Sequence, residues 1–237
     1  MTDTPAVPAP TTILWDVDGT LLFNAASGGG ELYHQAVEVI AGRELPPPLA
    51  RAHGKTDGQI LFEILEAFGL DSARHDDAVA ALDALSVERA KAGDRREVAP
   101  GIPDALAAAA ADRGWVNALL TGNSATRSRV KLAGAGLDPE LFDWSRSFFG
   151  DRARERRDIT LAARAALPDE RLVIIGDTPR DDDAAVAAGI PFIAVATGVY
   201  DVDALRGTGA LLVVPTLADG LDAVLAVIDA LPESPAA

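Results

Sequence analysis

Thr12-Ile13-Leu14-Trp15-Asp16-Val17-Asp18-Gly19-Thr20 is the stretch on which the reading of this chain turns. An apolar, partly β-branched run closed by turn residues reads as a buried strand. Its end carries two carboxylates where a parallel strand would open into a site. The first Asp can act as a nucleophile, and the second can exchange a proton with a leaving group; phosphoryl transfer needs both roles. Paired Asp residues also offer hard oxygen ligands for Mg²⁺. Gly19-Thr20 lets the backbone turn away sharply and leaves the acids exposed. The simpler account is an ordinary Asp-Gly turn after a short strand. A pattern this short is decided by what stands at the other strand ends.

Further strand-like runs are Val116–Leu120, Leu172–Ile175, Phe192–Val195 and Leu211–Val214, with helical patterns in most of the gaps. Such alternation predicts a parallel sheet with helices on both faces, and in such sheets ligands bind beyond the carboxyl ends of the strands. The first three runs end in Asp16-Val17-Asp18, Thr121-Gly122-Asn123 and Gly176-Asp177-Thr178, so polar residues gather along one rim.

Between Asn24 and Ala99 the pattern is helical and no strand run appears. Ile60, Leu61, Ile64, Leu65 and Phe68 keep helical spacing, and Gly69 stops the helix. An inserted helical subdomain is expected, with joints at Ala25–Gly30 and at Val98-Ala99-Pro100-Gly101. The glycines of the first joint serve equally as hinge or plain loop. Ala105–Ala111 is expected to lie in an ordinary amphipathic helix.

The 237 residues suffice for one large α/β domain or for a core with a smaller second unit, and 49% of them are hydrophobic. A net charge of −15 argues against nucleic acid or an anionic membrane as the main partner. Without cysteine there are no disulfides, thiol catalysis or Cys-held metals. The opening MTDTPAVPAP lacks the basic start and apolar core of a signal peptide, and no stretch is apolar for long enough to span a membrane. A soluble cytoplasmic protein is expected.

Thr121 precedes a helical pattern over Thr126–Leu132, and its hydroxyl with the nearby amides of Gly122 and Asn123 suits a phosphate oxygen. A helix cap explains Ser124 well and Thr121 less well. In Gly176-Asp177-Thr178-Pro179-Arg180-Asp181, Thr178 fits an N-cap, Pro179 the first helical position, and Asp181 the helix dipole. Asp177 has no such structural role. At the strand end, opposite Asp16 and Asp18, it would complete an oxygen cage for Mg²⁺. His34, His53 and His75 show no metal-binding spacing and are expected to be solvated or packed.

The order Asp-x-Asp-Gly-Thr, strand-Thr-Gly-Asn, strand-Gly-Asp-Thr-x-x-Asp resembles the haloacid dehalogenase-like (HAD) hydrolase superfamily, over Ile13 to about Val214. The helical insertion looks like the cap of the phosphoglycolate phosphatase-like group, and Gly54-Lys55-Thr56-Asp57 is similar to a segment of such caps. The resemblance implies a Rossmann-like parallel sheet core (1–24 and 99–237) with an inserted helical cap (25–98). It implies Asp16 as nucleophile and metal ligand, and Asp18 as acid/base with its carbonyl on Mg²⁺. Thr121 would meet the phosphoryl group and Asp177 the metal, with Asp181 a further ligand or supporting acid. The family's Lys-Pro is missing. Arg156 is the favoured substitute, with Arg157 and Arg154 behind it, because the acids around a metal and a phosphate call for a cation. Lys55 and Arg51 would either greet an anionic substrate tail or simply be surface cations.

The activity implied is a Mg²⁺-dependent phosphatase that hydrolyses a small phosphorylated metabolite through an aspartyl-phosphate. Asp18 separates this from the metal-free dehalogenase branch. A phosphomutase acting on a sugar phosphate is the alternative, and a non-catalytic phosphate-binding module or a receiver domain stands further off. Neither the substrate nor the oligomeric state is fixed by the chain.

Overall fold

The computed structural model describes residues 10–23, 29–46 and 54–232. Its strands are β1 (Thr11–Trp15), the two-residue β2 (Leu22–Phe23) and β3 (Glu97–Val98), β4 (Val116–Thr121), β5 (Phe148–Phe149), β6 (Arg171–Gly176), β7 (Phe192–Val195) and β8 (Leu212–Val214). All but β2 and β3 form one parallel sheet in the order β5-β4-β1-β6-β7-β8. With the small ribbon set aside, that is the 3-2-1-4-5-6 order of a Rossmann-like sheet. The order reverses between β1 and β6, and a crevice opens there beyond the strand ends. Asp16 follows β1 and Asp177 follows β6, so the two acids flank that crevice.

Side-chain alternation gives the sheet two dry faces. Ile13, Trp15, Val173, Ile175, Ile193 and Val195 meet residues of α4 (Ile102–Ala107), α5 (Ala125–Gly134) and α9 (Leu217–Asp229). Leu14, Leu120, Ile174 and Phe192 meet those of α6 (Arg156–Ala166), α7 (Pro179–Ala188) and α8 (Val202–Arg206). With both faces covered, these strands read as continuous apolar runs rather than alternating ones.

Helices α1 (Gly29–Ala41), α2 (Asp57–Ala67) and α3 (His75–Lys91) pack around a core of their own, built from residues such as Val37, Leu61, Leu65 and Leu82. The chain leaves for this insert and returns from it along the antiparallel ribbon of β2 and β3. No helix among the described residues is long and apolar enough to cross a membrane.

Four details depart from the sequence reading. β3 is a strand inside the stretch read as purely helical, and β5 had no apolar run to announce it; two-residue strands owe their existence to their neighbours. Ala108–Asp112 is π-helical, and Trp115 N–H donates back to Ala109 O at 2.9 Å, so the alanine-rich segment is not an ordinary helix. Gly29 and Gly30 open α1 rather than lying in a loop, and the rest of that expected joint, like Arg51 and His53, lies outside the described residues.

The insert is fastened to the sheet layer at the start of α2. Asp57 N–H donates to Gly122 O at 2.7 Å, Gly58 N–H to Gly150 O at 3.0 Å, and the Thr56 hydroxyl to Ala153 O at 2.6 Å. Beneath these lies a buried ion pair between Asp57 and Arg127 of α5. Tyr33 of α1 donates to Asp57 at 2.7 Å and accepts from Arg127 at 3.0 Å, while Arg127 Nε donates to Ser86 of α3 at 3.2 Å. One guanidinium thus touches all three helices of the insert.

Removing one member of a buried pair strands the other charge without water. Arg127→Ala is expected to lower the unfolding free energy by about 3–5 kcal/mol in urea titrations, against about 1 kcal/mol for Tyr33→Phe. Similar small losses for both variants would show that the pair contributes little to the docking.

Candidate active site

Three buried carboxylates stand at the crevice. One oxygen each from Asp16, Asp177 and Asp181 lies within 4.8 Å of the others. Asp16 continues β1, and its N–H donates to Ile175 O at 3.0 Å, which ties it to β6. Asp177 is cradled by backbone: a Cβ at Gly19 (φ 92°) would stand 2.2 Å from its Oδ2, and one at Gly198 1.7 Å from the same atom. A side chain at either position would have to displace the Asp177 carboxylate. Thr197 holds the turn by donating to Gly19 O at 2.6 Å, and Thr20 donates to Asp177 Oδ1 at 3.4 Å.

Asp181 reaches the cluster from the first turn of α7. Its Oδ2 accepts from the Thr178 N–H at 3.0 Å and hydroxyl at 2.7 Å, closing a capping box. Its Oδ1 lies 2.6 Å from Arg156 Nε, and Arg156 Nη2 lies 2.9 Å from Asp16 Oδ1. The same Nη2 donates to Leu120 O at 3.1 Å, on the neighbouring strand β4. Of the three arginines considered from sequence, Arg156 meets the acids. Arg157 pairs outward with Glu155, and Arg154 lies over the Phe62 ring.

The electrostatics follow from this crowding. Burial pushes the Asp16 carboxyl up to about 6; the Arg156 charge opposes that rise, and Asp181 and Asp18 add to it. Asp177 is pushed well above the usual carboxylate range by burial and by Asp16 and Asp181. The arrangement fits a divalent cation: hard oxygen donors, little room and surplus negative charge. Asp18 differs. Burial alone would raise it, but Lys131 outweighs that by charge and hydrogen bond, helped by Asn123, and holds Asp18 well below the usual range. Its carboxylate therefore stands with Lys131 and Asn123, apart from the three-carboxylate cluster.

Thr121 is fully buried at the end of β4, and its hydroxyl oxygen accepts from Asn123 Nδ2 at 2.9 Å. Gly122 lies against Lys55, since a Cβ there would stand 2.8 Å from the Lys55 carbonyl oxygen. The Lys55 ammonium itself turns to Glu63 at 2.6 Å, so its charge is already balanced within the insert. His75 stacks on Phe62 with ring centroids 3.8 Å apart, and burial lowers its pKa. His34 contacts Glu38 and Leu45 O.

Sequence reasoning passed over Lys131, Gly198 and the Asp57–Arg127 pair as parts of the site's frame. Gly198 had a legible signal, a glycine just past a strand on the same rim. Lys131 had a fainter one, a base two turns into the helix that follows Thr121-Gly122-Asn123.

Residues 10–189 match the family model for the haloacid dehalogenase-like hydrolases. A phosphoglycolate phosphatase of Rhodospirillum rubrum is 28% identical over 216 residues, covering 86% of each chain. Among solved structures, a hydrolase from Pseudomonas syringae superposes with a TM-score of 0.63 at 19% identity, over 92% of this chain and 99% of its own. A Thermotoga maritima protein named for beta-phosphoglucomutase superposes with a TM-score of 0.54 at 20% identity, over 94% of this chain and 100% of its own. The fold is thus shared across hydrolases and mutases, and the matched family model spans both halves of the crevice: this chain belongs to the haloacid dehalogenase-like hydrolases.

Proposed function

We propose that the chain is a Mg²⁺-dependent, cytoplasmic phosphatase that hydrolyses a small phosphorylated metabolite through an aspartyl-phosphate on Asp16. The observation that carries the reading is the position of Asp16. It is buried at the switch point of the sheet, held by Arg156 and grouped with Asp177 and Asp181. The family and the Rhodospirillum rubrum relative support the reaction class and make phosphoglycolate the first compound to try.

In the first step an Asp16 oxygen attacks phosphorus in line. The bond from phosphorus to the substrate's ester oxygen breaks, and Asp18 protonates the departing oxygen. In the second step Asp18 takes a proton from water, the resulting hydroxide attacks phosphorus, and inorganic phosphate leaves Asp16. Lys131 keeps Asp18 ionised in the free site, which is the state needed for the second step; the negative charge of an arriving phosphate favours the proton needed for the first. Thr121, whose oxygen already accepts from Asn123, has its own hydrogen to give to a phosphoryl oxygen, and the Gly122 and Asn123 turn shapes that end of the site. Arg156 fixes Asp16 and offsets the charge of the acids. Asp16, Asp177 and the Asp18 carbonyl would hold Mg²⁺, with Asp181 a further ligand or supporting acid. The bound ion supplies charge neutralisation for the carboxylates and the phosphoryl group.

The insert, 25–98 in this reading, acts as a cap that excludes water and selects the leaving group. The mutase alternative draws on the Thermotoga maritima neighbour, and release of inorganic phosphate in step with substrate loss separates the two.

Asp16→Asn is expected to abolish turnover of an aryl phosphate while the fold persists, because an amide cannot form the acyl phosphate. Retained activity in steady-state assays would refute the mechanism. EDTA should silence the wild type and Mg²⁺ restore it, and Asp177→Ala should demand far more Mg²⁺ for half-maximal rate. Full activity after exhaustive chelation would remove the metal from the reading.

Metal-free stability supplies a separate check. The folded value of about 6 for Asp16 exceeds the unfolded value of about 3.9, so the folded state holds the proton longer, and the Asp16 contribution declines as pH rises through that window. Unfolding titrations in EDTA from pH 4 to 6.5 should show Asp16→Asn gaining on the wild type as pH rises. A constant difference would contradict a raised Asp16 carboxyl.

A further inference from the structure

Helix α5 turns one face to the site, with Ser124, Arg127 and Lys131 at helical spacing along it. The last of these meets Asp18. Lys131 Nζ donates to Asp18 Oδ2 and, at 2.7 Å, to Asn123 Oδ1. Asn123 Nδ2 donates to the same Asp18 oxygen at 2.8 Å and to Thr121 Oγ1 at 2.9 Å. The three side chains close a ring in which the Asn123 amide has one sensible orientation, carbonyl to the ammonium and NH₂ to the carboxylate.

Lys131 is mostly enclosed, its side chain 13% exposed, and a lysine is seldom carried in such a place unless paired. Desolvation costs the ammonium stability, and burial indeed works to lower its pKa. The two oxygens of Asp18 are treated differently. Oδ2 takes both donors, whereas Oδ1 is shielded from solvent and has no hydrogen-bond partner. A free carboxylate rotates broadly about its last torsion. Pinning one oxygen removes that freedom and leaves the other unsatisfied.

We infer that Lys131 is a positioning residue: with Asn123 it locks Asp18 by Oδ2, so that Oδ1 is the oxygen that exchanges protons with the leaving group and then with water. This rests on the phosphatase reading above. It differs from the role of Arg156, which serves Asp16 and Asp181, so the two catalytic carboxylates each have their own buried cation. Lys131 touches neither Asp16 nor the carboxylate cluster among the described contacts, and it acts through Asp18 and Asn123.

The test uses the full chain with Mg²⁺ and two substrates, 4-nitrophenyl phosphate and glycerol phosphate. Lys131→Met keeps the apolar stem and removes the charge and the donors. General acid–base catalysis is worth about 10²–10⁴-fold, and a loosened acid should forfeit a part of it, about 10–100-fold in kcat on glycerol phosphate, whose alkoxide needs the proton most. KM should stay within about threefold, the pattern of an interaction made in the transition state. On 4-nitrophenyl phosphate the first step suffers less, so acid-quenched samples should contain more phosphorylated Asp16 than wild type, because water activation also depends on Asp18. Lys131→Arg, which restores a cationic donor, should recover part of the rate.

Unchanged kcat on both esters would overturn the inference. So would an equal loss on both, tracking a lower Tm with no build-up of phosphorylated Asp16, for that is the mark of a merely structural lysine. Should Lys131→Met not fold, Lys131→Gln, an uncharged donor, takes the same measurements. A wild type that hydrolyses no monoester removes the phosphatase reading and this inference with it, whereas an active wild type beside an unaffected variant removes the Lys131 role alone.

Discussion

Three carboxylates within 4.8 Å of one another, taken out of water, would push the strand ends apart without a counter-charge. Arg156 supplies one from the first turn of α6, bearing on Asp16 and Asp181 together. It also donates to Leu120 O, which references the cation to β4 as well as to the acids that follow β1 and lie in α7. The crevice at the switch point is therefore held on both sides by one guanidinium. Burial first, and then the negative charge that Arg156 leaves uncompensated, raise Asp16 and Asp177, and that surplus charge suits the cluster to a divalent ion.

A second set of contacts ties the helical insert to the same site. Asp57 accepts from Ser124 N–H at 2.9 Å and pairs with Arg127, so the turn that carries Thr121, Gly122 and Asn123 is braced from above. Arg127 and Lys131 stand one turn apart on α5, one facing the insert and the other Asp18. A shift of the insert about this contact would be felt along α5 before it reached the carboxylates. Such buried charge pairs demand well-matched geometry, because each partner is costly without the other.

Much of the sheet could be read directly. Strands covered on both faces need continuous apolar side chains, and Thr12–Trp15, Leu172–Ile175 and Phe192–Val195 show that pattern; the acids at their ends mark the rim. The ribbon of β2 and β3, the strand β5 and the π-helical turn could not be read, since each is set by what packs against it rather than by its own residues. Within the site, the need for a cation already favours Arg156 in the sequence, and the docked helix adds the phase that turns it to the acids and Arg157 outward to Glu155. Lys131 looks like any helix lysine until α5 is oriented, and α5 is held by the pairing of its Arg127 with Asp57, 70 residues before Arg127 in the chain. For Lys55 the sequence leaves a substrate contact and a surface cation both open, and the fold adds its pairing with Glu63 of α2.

The departure from the family's Lys-Pro pattern has a physical reading. An ammonium is a compact charge whose three donors radiate from one atom, whereas a guanidinium spreads its donors along a plane. Here the cation pairs with Asp16 at Nη2 and lies in charge contact with Asp181 at Nε, where neither atom has a hydrogen-bond partner, and the same Nη2 donates to the Leu120 carbonyl. A lysine at this position would have to choose among these partners or sit between them at longer range. Arginine also stays charged beside three acids whatever the local field, and its partners here drive its pKa further up despite burial. The fixed plane then limits where Asp16 can point, because its Oδ1 must keep facing Nη2. With that carboxylate oriented by Arg156, and Asp18 held separately by Lys131, the two acids of Asp16-Val17-Asp18 are set by different helices, α6 and α5, on opposite faces of the sheet. Two carboxylates only two positions apart are in this way shifted in opposite directions, Asp16 up and Asp18 down.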